Sequence, residues 1–401
     1  MSNQKDKLFT SSFIFACLGN FLLFLGFYML LPVLPLYLIS TFNTPESEIG
    51  LVLAGYTVAA LIIRPISGFV LDMFNRKPVY LLSYIFFVIL FVGYPLAQSI
   101  LLFGLLRVFH GIAFGIVTTA GNTLIVDIMP ASRRGEGLGY FGISNNLAMA
   151  MGPMIGLMLH ESFNSWNLIF YTAVAFGLLG FIFAVNIKSP DKAKYISEPF
   201  LFDRFFLLKG WKSGLSLLFL AIPFGMTTTY LALYAEEVGA TGNLGFFFSI
   251  MAAGLIVTRT FAGTLVDKGK VVQVIKSGIL ILIAAFFIFS LVGFYHENIG
   301  DLVQPGFFGV ALLMGMGYGM LFPAYNTLFI DLAPHNRRAT ASSTYLTSWD
   351  VGIGLGLVFG GNLGEYFGFN YAFFIAAILV ILSYLMFALF AAPHFQRNKF
   401  R

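Results

Sequence analysis

Arg107, His110 and Asp350 are the residues of this sequence best placed to do chemistry, because each interrupts a long apolar run. A charged side chain held in such a run is expensive, roughly 2.5–3.5 kcal/mol on insertion scales, so its presence there asks for a reason. The chemistry such groups can do is to hold or pass a proton, or to balance another charge. Imidazole is the side chain whose ordinary titration falls between pH 5 and 8, so His110 qualifies as a proton carrier. Asp350, the one acid in the middle of a run, qualifies if its surroundings hold the proton more tightly than water does. Arg107 stays charged. It lies three residues before His110, on the same helix face, and its fixed charge can oppose protonation of His110 or pair with Asp350. Each also has a plainer reading: Arg107 as packing or a snorkelling side chain, His110 as a satisfied core histidine, Asp350 as a buried hydrogen-bonding residue.

The elements that must position these residues follow from composition. Hydrophobic residues make up 58% of the 401, charged residues 10%, and the mean hydropathy is +0.87. Soluble domains are about 25% charged, so the sequence reads as an integral membrane protein. Twelve apolar stretches are long enough to cross a bilayer as helices: 12–39, 49–71, 79–97, 101–126, 138–160, 168–187, 213–235, 244–266, 273–295, 305–330, 339–361 and 371–391. They are continuous runs, which excludes a barrel of short alternating strands. Glycine is frequent, at 42 residues, as suits helices that approach closely in lipid, and most of the 48 phenylalanines read as packing or lipid-facing surface. Cys17 is the single cysteine, so no intramolecular disulfide is expected. The opening "MSNQKDK" precedes an apolar run too long for a signal-peptide core. No phosphate-binding glycine loop of the Gly-x4-Gly-Lys-Ser/Thr type is present. No cofactor, metal site or enzymatic activity is expected, and energy would come from an ion gradient or the substrate's own.

Lys and Arg set the orientation. With both termini placed in the cytoplasm, all but three of the 23 Lys and Arg fall in the tails and inner loops. The three are Arg64, Arg107 and Arg259, within helices; Arg64 and Arg259 read as anchors one or two turns from the inner surface. The outer loops carry acids such as Glu46, Glu161, Glu237 and Glu365. This is the positive-inside pattern in strong form, so the pI of about 9.1 reports topology rather than a nucleic-acid partner.

The sequence also repeats itself. "NTLIVDIMPASRRGEG", from Asn122, returns as "NTLFIDLAPHNRRATA", from Asn326, an offset of 204. "LIIRPISGFVLD" (61–72) returns as "IVTRTFAGTLVD" (256–267), Arg64 to Arg259, an offset of 195. The longest polar interruption, 188–212, lies between the copies and divides the chain into a six-helix bundle at 1–187 and another at 213–401. Within it "FLFDRFFLL" reads either as an interfacial segment or as a plain linker. Six helices per half give both copies one orientation, the parallel-repeat design of transporters with a central site between the halves.

Here the residues reach a family. Gly68, Asp72, Arg76 and Lys77 in "GFVLDMFNRKP" resemble the loop 2–3 signature of the major facilitator superfamily, with Asn75 in place of its second glycine. Asp127 to Arg134 resembles the family's acid-x6-Arg element at the inner end of helix four, and Asp331 to Arg338 copies it. "LLRVFHG" (105–111) looks like the helix-four arginine motif, with His110 where glutamine is common. The resemblance covers essentially the whole chain and implies twelve transmembrane helices, all α, in two parallel repeats. It also implies a cytoplasmic gate of ion pairs and helix-end contacts drawn from Gly68, Asp72, Arg76, Asp127, Arg134, Asp267, Asp331 and Arg338. The second copy departs after Asp267, reading "KGK", so its network would be looser.

Gly152, Pro153 and Gly156 in "AMAMGPMIGL" resemble the antiporter motif that packs helices five and eight, with Ala148 and Leu157 where glycine is usual. "LLPVLPLYL" in helix one looks like the drug and metabolite efflux branch, and the signatures of peptide symporters and sugar porters are absent. The resemblance therefore implies a proton-coupled exporter of small organic molecules in a plasma membrane, bacterial inner membrane by type, acting as a monomer. Two alternatives stay open: an uptake symporter for a sugar or organic acid, and a transporter-like receptor or lipid-handling protein without proton coupling. The cavity would draw on Asn20, Tyr28, Asn145, Asn146, Thr228, Tyr230 and Tyr325, although a polar residue in a helix can simply bond its own backbone.

Overall fold

The computed structural model describes residues 7–130, 133–189, 207–240, 244–334 and 338–400. Fourteen α-helices account for nearly all of them, and no strand occurs among the described residues. In chain order they are α1 (Ser11–Leu30), α2 (Leu34–Phe42), α3 (Glu46–Met73), α4 (Arg76–Leu96), α5 (Ile100–Ile128), α6 (Arg134–Phe163) and α7 (Trp166–Val185). After the central segment follow α8 (Trp211–Glu237), α9 (Gly245–Asp267), α10 (Val271–Ile299), α11 (Val303–Asp331), α12 (Arg338–Phe367), α13 (Phe369–Met386) and α14 (Ala392–Asn398). Among the described residues, ten helices are long and apolar enough to cross a bilayer.

Local chemistry sets several boundaries. Thr10, Ser99 and Ser165 accept backbone N–H groups at the starts of α1, α5 and α7, as N-cap hydroxyls do. The Glu237 carboxylate accepts from the N–H groups of Phe369 and Asn370 at the start of α13, where the helix dipole favours a negative charge. The expected first span, 12–39, is not one helix. It breaks at 31–33, where Pro32 has no N–H to donate and the N–H groups of Leu31 and Val33 reach back only three residues, to Tyr28 and Leu30; α2 restarts with Pro35 in its first turn. At the other end α13 passes through a π-helical turn, Phe387–Ala391, into α14, beyond the expected span.

The helices sort into two compact units, one of Met1–Val33 and Gly55–Glu198, the other of Leu34–Ala54 and Pro199–Arg401. In the first, α1 packs on α6 and α7, and α4 on α5 and α7. In the second, α8 packs on α12 and α13, α9 on α11, and α10 on α11 and α13. Segment 34–54 precedes the central loop yet packs with the second unit. There the Ser47 N–H donates to Glu365 Oε2 at 2.7 Å, and a Cβ on Gly50 would stand 2.9 Å from Val358 Cα.

The sequence repeat reappears as repeated packing. A Cβ on Gly111 would stand 2.9 Å from the Tyr56 carbonyl carbon, and one on Gly315, 204 residues on, 2.7 Å from that of Met251, which is 195 after Tyr56. A Cβ on Gly115 would stand 2.9 Å from the Ala60 carbonyl oxygen and one on Gly319 2.6 Å from that of Leu255, with the same two offsets. The crossings of α5 on α3 and of α11 on α9 are therefore one design built twice, each held open by glycines that let backbones touch.

Candidate functional site

Arg107 and His110 lie on one face of α5 and are almost wholly buried, at 1% and 0% exposure. Gly111 next to them lets α3 come close enough to bring Tyr56 against the arginine, whose guanidinium carbon lies 4.6 Å from the Tyr56 ring centroid. Tyr94, one residue before Pro95 in the last turn of α4, completes the group. Arg107 Nη1 donates to Tyr94 Oη at 3.3 Å, and Tyr94 Oη stands 2.5 Å from His110 Nδ1. An arginine can only donate, so Tyr94 Oη accepts from Arg107, while its contact with His110 Nδ1 runs in the direction the imidazole tautomer sets. Phe87 and Phe91 of α4 pack on the imidazole, 4.1 and 4.7 Å between centroids, and Phe27 of α1 adds a third aromatic wall. The result is a fixed charge joined through one hydroxyl to a titratable ring inside an aromatic shell. Arg107 Nε, Arg107 Nη2 and His110 Nε2 are buried there without a hydrogen-bond partner.

Asp350 belongs to the second unit, half-buried on α12. Tyr345, one turn earlier, lies within electrostatic reach of both Asp350 and Arg259. Of the expected cavity residues in the first unit, Asn20 donates to Ser144 Oγ at 2.9 Å, joining α1 to α6, and Asn145 keeps a buried side-chain oxygen without a partner. Asn146 is half-buried beside it, and Tyr28 stacks on Phe24. In the second unit the hydroxyls are engaged in packing. Thr228 donates to the Phe224 carbonyl of its own helix, Tyr230 to the Leu357 carbonyl at 2.7 Å, and Tyr325 shares a hydrogen bond with Ser216 at 2.7 Å. Gly152 and Gly156 lie against Tyr28 and Met29, so this glycine stripe seats α6 on α1, with Pro153 between them.

Of the expected gate, Arg76 pairs with Asp127, joining the start of α4 to the end of α5, and also donates to the Thr123 carbonyl at 3.3 Å. Lys77 Nζ donates to the Val185 carbonyl at 2.9 Å, a cation at the C-terminus of α7. Asp331 is half-buried at the end of α11, where its carbonyl accepts the Phe400 N–H at 2.9 Å. The surroundings of Gly68 and the side chains of Asp72, Arg134, Asp267 and Arg338 lie outside the described residues.

Tyr94 and Tyr56 are the site residues that sequence reasoning missed. The one signal for them is general: a tyrosine in an apolar run needs a partner for its hydroxyl, and a buried cation is a good one. Nothing in the spacing says which helix supplies it.

Comparison with known proteins agrees with this architecture. The model of the Major Facilitator Superfamily matches residues 16–356 and 302–400. A staphylopine export protein of Staphylococcus aureus is 23% identical over 361 residues, 85% of this chain and 86% of that protein. The quinolone resistance protein NorA of the same species is 29% identical over 222 residues, 54% of this chain and 56% of that protein. Among solved structures, a bacterial homologue of the human lysosomal transporter Spinster, inward-facing and occupied, superposes with a TM-score of 0.76 at 17% identity, covering 97% of this chain and 98% of that one. With an all-α fold among the described residues and a family model that matches most of its length, the chain belongs to the Major Facilitator Superfamily.

Proposed function

We propose that this transporter exports a small organic molecule in exchange for protons by alternating access. The observation that carries the reading is the buried chain from Arg107 through Tyr94 to His110, which links a permanent charge to a titratable ring. A proton arriving on His110 is opposed by the neighbouring guanidinium, so it stays only while something else compensates the charge. That is the property a coupling site needs, because it must release its proton as readily as it takes it. Asp350 is the second candidate carrier, with Arg107 stabilising one charge state in turn. Asn20, Tyr28, Asn145, Asn146, Thr228, Tyr230 and Tyr325 would supply cavity contacts. The gate set of Gly68, Asp72, Arg76, Asp127, Arg134, Asp267, Asp331 and Arg338 would tether the cytoplasmic side. In this reading both termini are cytoplasmic, the membrane is a bacterial inner membrane, and the working unit is a monomer. Export rather than uptake is supported by the efflux-type relatives.

Everted vesicles energised to an acid interior test the reading, with staphylopine and a quinolone, the compounds named for the relatives, as probes. Wild-type vesicles should lose part of their pH gradient when a transported probe is added. His110→Gln or Asp350→Asn, whichever removes the carrier, should abolish gradient-driven accumulation while leaving probe exchange without a gradient. Normal accumulation in both variants would refute the assignment. A probe that exchanges without ever moving protons would exclude coupling altogether.

A further inference from the structure

We infer that Arg107, Tyr94 and His110 form an anion-recognition subsite, and that the molecule carried by this protein bears a carboxylate that binds there. The inference deepens the reading above and rests on it to the extent that a small organic molecule is the cargo.

The first support is the donor count. Arg107 makes one hydrogen bond, to Tyr94, and one ring-face contact, on Tyr56; its Nε and Nη2 remain buried and unpartnered. His110 Nε2 is a third buried nitrogen without a hydrogen-bond partner, and a donor whenever the ring is protonated there. The two guanidinium positions can only donate, so the group that completes them must accept at both. A carboxylate is acceptor-only and planar and matches two N–H groups of a guanidinium edge at once, which an amide or an alcohol cannot do. A single fixed positive charge balances a monoanion, which favours a carboxylate over a phosphate. The aromatic wall of Phe27, Phe87 and Phe91 suits an acid carried on an apolar or aromatic body.

The second support is the internal repeat. The second unit builds the same helix crossing, Gly315 and Gly319 of α11 on Met251 and Leu255 of α9. At its equivalents of Tyr56, Arg107 and His110, with offsets of 195, 204 and 204, it places Met251, Ala311 and Met314, all buried and apolar. The crossing therefore packs without a charge, so the architecture does not require the arginine. A fold that could have used alanine instead holds a guanidinium with two buried N–H positions unpartnered among the described residues. Such a group favours any state in which an anion reaches it, which is how a ligand shifts a transporter between conformations.

The test is binding in the absence of any gradient, on purified full-length protein in detergent. The probes are benzoate, nicotinate and indole-3-acetate, each beside its primary amide and the corresponding amine, with thermal stabilisation as the readout. The wild type should be stabilised by at least one acid at a concentration about tenfold or more below that needed for its amide. Arg107→Gln should abolish that preference, and Arg107→Lys, which keeps the charge without the planar fork, should restore it in part. Should Arg107→Gln fail to elute as a folded monodisperse protein, a weakened acid preference in Arg107→Lys carries the test. Equal response to acid and amide across all three series would overturn the inference. So would a preference for amines, or an acid preference that survives in Arg107→Gln. These readings contain no proton flux. An acid preference in a protein that moves no protons would fault the coupling reading alone, and coupled transport without an acid preference would fault this inference alone.

Discussion

Arg107→Met separates architecture from function most sharply, because the two predict opposite changes. Arg107 is 1% exposed and has no carboxylate partner among the described residues, so the folded protein bears the desolvation of a charge, an effective penalty of several kcal/mol. Against this stand one hydrogen bond at the long distance of 3.3 Å, within the roughly 1.5–3 kcal/mol of bonds to charged groups, and a ring contact of roughly 0.5–2 kcal/mol. Methionine has a similar reach, no charge, and a flexible thioether that fills irregular space. Replacement of even a buried ion pair by apolar groups of similar volume is commonly neutral or stabilising by about 1–4 kcal/mol, and a lone cation has less Coulomb attraction to lose. At about 2–4 °C per kcal/mol for units of this size, the midpoint of thermal unfolding should be unchanged or rise by several degrees. The same variant should lose gradient-driven transport. Both are measurable on one preparation, by tryptophan fluorescence during heating in detergent and by transport after reconstitution. A midpoint more than about 5 °C below wild type, with Arg107→Lys unaffected, would show the buried positive charge to be a structural keystone and refute the reasoning.

The Arg76–Asp127 pair is 20% and 28% exposed, so it contributes about 1 kcal/mol or less to stability. Asp127→Asn should leave the thermal midpoint within about 2 °C of wild type while slowing turnover, and Arg76→Gln added to it should cost no further turnover, because one interaction is removed only once. A fully additive loss in the double variant would break the link between the two residues. The glycines give a contrast in packing. Gly156→Val drives a branched side chain into the Met29 backbone and should lower the midpoint by many degrees or prevent folding, whereas Gly142 faces open space and Gly142→Ala should be neutral or stabilise by up to about 1 kcal/mol. A comparable midpoint for the two variants would contradict the close approach of α6 to α1.

The helices were legible because each apolar run, long enough to cross lipid, has few other ways to satisfy its backbone. The break at 31–33 shows the limit. Pro32 and Pro35 were in view, but unbroken apolarity hides a turn that lipid-depth composition does not mark. The glycine stripe of α6 was legible as a close approach and not as a choice of partner, since a missing side chain says that a backbone comes near without saying which. Thr228, Tyr230 and Tyr325 were equally opaque, because a hydroxyl spent on a backbone carbonyl or on Ser216 looks in sequence like one waiting for a substrate. Tyr94 reaches Arg107 across a helix pair, a contact that no one-dimensional period encodes.

The repeat offers a way past that limit, and it could have been applied to the sequence alone. Offsets of 204 and 195 align the halves through α5 with α11 and α3 with α9, and the residues that recur under them are glycines and helix-end charges. Recurrence marks what both halves need, namely close helix crossings and orientation in the bilayer. Departure marks what only one half does. Tyr56, Arg107 and His110 face Met251, Ala311 and Met314 under the same offsets, three polar groups set against three apolar ones at a crossing with the same backbone contacts. Asn146 meets Asp350 in the same way, so the two halves place their ionisable groups at different positions of one shared frame. A site that took cargo symmetrically would gain nothing from that division. A carrier that binds an asymmetric molecule and a proton in the same cycle, as proposed above, needs unlike groups on its two halves, and the positions at which the repeat fails are where the proposal puts them.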